Sequence, residues 1–270
     1  MPCRIPTRLF AALLVAGAVA CTDSAAPRAG VTDAMLTSDV GRDAAQATAQ
    51  DLAQMAEGEL LIGMPLAVTP SGSTSVFGNC AWDAAVSLYV CPAITIPGGL
   101  TLTRYFEIFA GGSSQRTYDA VATDSVLFHA TLAGTLAEAD RTAWLSESRF
   151  LMVSGLGGTE TQRTWRGAAL RDDSVHVKLD GAVRTTYLLS SDVIDNVVFK
   201  LPRAEFPFPQ SGTVTRDVSV SSVVPDGTEA TNRRGSRHVV ITFNGTRTAS
   251  VVVDTTPCAL DLVTRKLTCS

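Results

Sequence analysis

The amino-acid sequence predicts an all-β fold, an antiparallel β-sandwich or open barrel with one N-terminal helix behind a flexible tether. Three observations predict it. After residue 60, apolar and polar residues alternate with period two in many short runs. Glycine and proline punctuate those runs, and only one earlier stretch has helical spacing. Period two with polar partners marks strands buried on one face, hence an antiparallel sheet. No strand–helix alternation points to a parallel one.

The elements follow in chain order. Residues 22–37 are small, polar and without period, as a tether would be. Residues 38–58 predict one helix, with Val40, Ala44, Ala47, Leu52, Met55 and Ala56 near helical spacing. That apolar face is thin, so the helix is expected to lie loosely on the body. Arg42 is the one cation between Asp39 and Glu57, which disfavours a membrane-surface helix.

Residues 59–270 predict one β domain of a dozen or more strands. Val175, Val177 and Leu179 alternate with His176 and Lys178, and Val214, Val218 and Val220 alternate with Thr215, Asp217 and Ser219. Asn244-Gly245, between two β-rich runs, is the strongest short-range hairpin signal. Breaks are expected at Pro97-Gly98-Gly99, Gly111-Gly112, Gly155 to Gly158, Pro202 to Pro209 and Pro225-Asp226-Gly227. Between Glu59 and Arg104 the only charged residue is Asp83. That stretch reads as core strands buried on both faces, with an apolar cavity wall as the alternative.

Two cysteine brackets enclose ten residues each, CAWDAAVSLYVC and CALDLVTRKLTC. Zinc sites usually bring cysteines in closer pairs, whereas hairpin geometry favours the local disulfides Cys80–Cys91 and Cys258–Cys269. If Cys258 faces Cys269, Leu260 meets Leu267 on the disulfide's face and Asp261 meets Lys266 on the other. The same register sets Trp82 against Tyr89.

The chain opens MPCRIPTRLFAALLVAGAVAC, a short basic region and an apolar run far too short to span a bilayer. Ala18-Val19-Ala20-Cys21 followed by Thr22-Asp23-Ser24 resembles the lipobox of bacterial lipoproteins. The resemblance covers these residues only. It implies a signal peptide over 1–20, a lipidated Cys21 as new N-terminus, membrane attachment through that lipid and, from Thr22, outer-membrane placement. Two or three acyl chains make a stable anchor where one does not.

Loss of residues 1–20 would remove Arg4 and Arg8 and no acid, leaving 20 basic and 26 acidic residues and a net charge of −6. With no basic stripe, nucleic acid is a poor partner. The three histidines, His129, His176 and His238, fall in separate β-like runs and read as exposed strand residues. No G-x-S-x-G occurs, and Ser154 beside Gly155 reads as part of a turn. Asp172-Asp173, Asp192 with Asp195, and Asp226 with Glu229 read as turn carboxylates, and Arg233, Arg234 and Arg237 as a solvated loop tip. The residues therefore predict no catalytic centre, metal or cofactor. The leading expectation is an exported, lipid-anchored, non-enzymatic scaffold or interaction protein. The alternatives are a carrier of lipid or another apolar ligand, which the helix-then-sheet outline resembles in open-barrel lipoprotein carriers, and an envelope-associated hydrolase.

Overall fold

The structure, a computed structural model, describes residues 31–63 and 80–270 apart from 97, 138, 180, 181, 227 and 228. Cys21 and the signal region lie outside the described residues. Helix α1 (Asp33–Gly63) is followed by β1 (Ala81–Asp83), β2 (Leu88–Val90), β3 (Ile94–Ile96), β4 (Leu100–Ala110), β5 (Ser113–Gln115), β6 (Ser125–Ala137) and β7 (Arg141–Ser154). Then come β8 (Gln162–Leu179), β9 (Ala182–Lys200), β10 (Ser211–Asp226), β11 (Glu229–Thr242), β12 (Thr248–Val253), β13 (Thr256–Asp261) and β14 (Lys266–Cys269).

All fourteen strands join one antiparallel sheet that is not closed into a barrel. It is a meander in the order β1-β2-β4-β6-β7-β8-β9-β10-β11-β12-β13-β14, with β3 and β5 also pairing with β4. Strands β2, β3 and β5 share one edge of β4, pairing at Tyr105–Phe106, Leu100–Leu102 and Ile108–Ala110. The stretch from Glu59 to Arg104 thus departs from expectation. Residues 64–79 lie outside the described residues, and much of the rest forms short strands along that edge, with Val90 and Ile94 exposed. An edge position leaves one side of each short strand to solvent.

The two cysteine brackets sit at opposite ends of this path. The Cys80–Cys91 disulfide closes the hairpin of β1 and β2, and Cys258–Cys269 joins β13 to β14. An open sheet has two terminal edges, which fray and offer unpaired backbone to other chains. Each disulfide locks the outermost hairpin at one of them. The registers match the expectation: Trp82 opposes Tyr89, with ring centroids 5.4 Å apart, and Leu260 opposes Leu267. Asp261 opposes Lys266 in register but takes another partner, Arg247 at 2.8 Å. That hydrogen-bonded pairing, with the N–H groups of Val263 and Thr264, holds the Asp261 carboxyl well below the usual carboxylate range.

Bulges sharpen the twist that long strands already have. Register shifts fall between Trp165 and Gly167 on β8 and between Ser211 and Thr213 on β10. At Gly212, φ is +104° and a Cβ would run into the Asn196 carbonyl, so the bulge requires glycine. The Asn244-Gly245 turn joins β11 to β12 as expected, and the glycines after Ser154 turn β7 into β8.

Helix α1 is the main correction. It starts within the expected tether, where the Thr32 hydroxyl accepts from the Met35 N–H at 3.2 Å and Asp33 suits the positive helix end. Far from lying loosely, it buries Leu36, Val40, Ala44, Ala47, Thr48, Asp51 and Met55 to 2% exposure or less. The stripe is narrow because its residues are small, and that smallness lets the helix backbone come close. At Gly41 an added Cβ would stand 2.8 Å from Leu267 of β14. The core lies between α1 and one face of the sheet, here called the inner face, and includes Trp165, Phe106, Phe199, Ile194 and Ile241.

Candidate functional site

Strands β7 to β10 carry the molecule's most informative side chains, on two faces. Residues of one parity point inward, towards α1. The cross-strand row Arg149–Ala169–Asp192–Arg216 lies beside Glu147–Arg171–Ser190 and Leu145–Asp173–Leu188. These rows form a charged belt on the inner face, and every charged member is buried.

The helix answers the belt with carboxylates. Asp51 falls within the apolar stripe of α1 and accepts from Arg149 at 2.8 Å and from Arg216. Arg216 also donates to Asp192, and Arg149 pairs with Glu147. Arg171 donates to Glu147 at 3.1 Å, to Asp43 at 3.2 Å and to Gln50 at 3.0 Å. Arg184 of β9 holds Asp39 at 3.2 Å, and Arg237 of β11 holds Asp33 at 2.7 Å. Four helix carboxylates thus engage arginines from five strands. Arg237 sits in a strand and grips the helix, not at a solvated loop tip as expected.

Burial without full compensation shifts the acids. Desolvation raises Asp173 to about 6, against the opposing pull of Arg171. It raises Asp192 too, again opposed by arginine, and it lowers Arg149 despite Asp51. Asp173 and Asp192 were expected in turns; they lie mid-strand because the belt gives them guanidinium partners. Parity was the available signal: Arg171 and Asp173 are in phase with the inward Val175.

The opposite parity faces outward and sets large apolar residues among polar ones such as Ser148, Asp172 and Ser191. Tyr105, His129, Phe150, Ala168 and Val193 form one continuous cross-strand row from β4 to β9. Tyr105 and His129 stack with ring centroids 4.3 Å apart, and Phe150 stands 6.1 Å from His129. Burial lowers the His129 pKa, against the pull of Glu107, which favours the neutral ring. Around this row Trp144, Met152, Leu170, Tyr187 and Leu189 are exposed, Leu170 by 64%.

Other sequence candidates have local partners. His176 contacts the Thr185 hydroxyl at 3.0 Å, and exposed His238 pairs with Asp217 at 2.7 Å. His129, expected to be an exposed strand residue, is half-buried in the aromatic row. The Ser154 hydroxyl donates to the Thr164 carbonyl at 3.4 Å, across the β7–β8 pair. Asp226 and Glu229 oppose each other at the β10–β11 tip. Among the described residues no helix is long and apolar enough to cross a membrane. The closed disulfides point to an oxidising, non-cytoplasmic environment. No family model, curated protein or solved structure matches this chain.

Proposed function

We propose that this chain is a non-enzymatic interaction protein of the cell envelope, lipid-anchored at Cys21.

 It would present the outer face of β4 to β9 to a protein partner. The observation that carries this reading is the aromatic and apolar row from Tyr105 to Val193, of which Phe150 and Val193 are exposed, with exposed Leu170 and Leu189 on the same face. Clustered exposed apolar side chains mark interaction sites. The charged groups that could serve chemistry support the same reading, because the inner belt engages them with the helix. Lipidation of Cys21 and outer-membrane placement rest on the lipobox resemblance. They are tested by labelling with a radioactive fatty acid, which Cys21→Ser should abolish.

The partner reading is tested by sedimentation of mild detergent extracts from the native envelope. The wild-type chain should run in a complex larger than its monomer, and Leu170→Glu with Leu189→Glu should run as the monomer. Monomeric wild type in such extracts would count against a partner on this face.

A further inference from the structure

Beyond the charged belt, towards the β7 start and the β8 end, α1 and the sheet leave a cleft of about 50 Å³. Its sheet wall carries an apolar strip, Leu136 of β6, Ala143 of β7, and Val175 and Val177 of β8, beside the polar Asp173, Arg184 and Thr186. Ala143 belongs to a second apolar cluster with Leu100 and Leu145, against which Ile96, Leu132 and Val175 pack, and Val175 packs against the main core as well.

The polar groups lining this cleft divide into two kinds. Each carboxylate has a cation: Asp39 has Arg184 at 3.2 Å, while Asp43 and Asp173 share Arg171 at 3.2 and 3.9 Å. Arg42 and Arg141 have no carboxylate partner among the described residues. Arg141 stands on the inward parity of β7, opposite Val177, and its Nε is buried without an acceptor. A buried donor left unmade is costly, and a guanidinium offers a fork suited to carboxylate or phosphate.

We propose that this cleft binds the anionic head of a single-chain amphiphile. Arg141 takes the carboxylate or phosphate, and Leu136, Val175 and Val177 take the first carbons of the chain. A bare anion would leave the apolar wall unused, and a neutral chain would leave Arg141 without an acceptor. The small volume limits enclosure to the head and the start of the chain. This site is independent of the outer-face reading, since it lies on the opposite side of the sheet.

The test is calorimetric titration of the exported chain, both disulfides closed, with decanoate below its micelle threshold. Decanol and acetate serve as controls, and Arg141→Met and Arg141→Lys as variants. Saturable one-to-one decanoate binding is expected, at least tenfold tighter than either control. Arg141→Met should weaken it at least tenfold, and Arg141→Lys by less. Because Arg141 has no ion pair to lose among the described residues, neither variant should have a thermal midpoint below the wild type. Absent saturation, equal affinity for decanol, or undiminished binding by a folded Arg141→Met would each overturn the proposal.

Discussion

The two faces of strands β7 to β9 depart from the usual distribution of side chains in opposite senses: charges are buried among apolar residues on the inner face, and large apolar residues stand among polar ones on the outer face. Along β7, Glu147 and Arg149 point into the protein while Trp144, Phe150 and Met152 stand in solvent. On β8 and β9 the same holds, with Arg171, Asp173 and Asp192 inside and Leu170, Leu189 and Val193 outside. Buried charges are tolerated only when paired, and these pair with one another across the strands and, through Arg149, Arg171 and Arg216, with Asp43 and Asp51 of α1. The inner face therefore spends its charges fixing one helix. Among the described residues no internal partner covers the outer face, where Phe150, Leu170, Leu189 and Val193 are exposed.

Breaking the inner face should have the largest effect. Asp51→Ala would strand Arg149 and Arg216 in the core, and removing one member of a buried ion network costs about 3–5 kcal/mol. Urea unfolding should show that loss, with α1 the first element to lose hydrogen-exchange protection. Opening a terminal edge comes next. Replacing Cys258 and Cys269 by serine frees a loop of eleven-residue separation, worth about 2–3 kcal/mol on the chain-entropy model. The same denaturation curve reads it.

Asp173 sharpens the comparison through pH. Its folded pKa is raised from 3.8 to about 6, so the folded state holds this proton more tightly than the unfolded chain. The contribution to stability is therefore full below about pH 4 and is lost as pH rises through about 6. Asp173→Asn removes that loss. It should gain roughly 1–2 kcal/mol over wild type on going from pH 4.5 to pH 7.5, measured as the difference between unfolding free energies at the two pH values. The smallest stability effect belongs to the outer face. Leu170→Glu with Leu189→Glu should change unfolding free energy by no more than about 0.5 kcal/mol per site, while abolishing the partner complex.

Much of the fold was legible in the sequence. Period-two runs placed the long strands, Asn244-Gly245 placed a hairpin, and the equal cysteine brackets gave both disulfides with their registers. That the brackets guard the two ends of one meander was not legible, because strand order depends on long-range pairing. The helix was underestimated because its stripe is made of alanine and carries Asp51. A carboxylate in an apolar stripe reads as a fault until its arginines are known, and those lie on strands about 100 and 165 residues away. The outer row was hidden for a similar reason. Phe150 and Leu170 look like core residues until the inward parity of their strands is fixed by the charges between them.

The most direct test of this division of faces is site-specific photo-crosslinking in the native envelope. A photoreactive side chain would replace Leu170 on the outer face, and Val263, exposed in the turn between β13 and β14, would serve as the control site. A discrete crosslinked protein from position 170, absent from position 263, is the predicted result. No adduct from position 170, or the same adducts from both positions, would contradict the account.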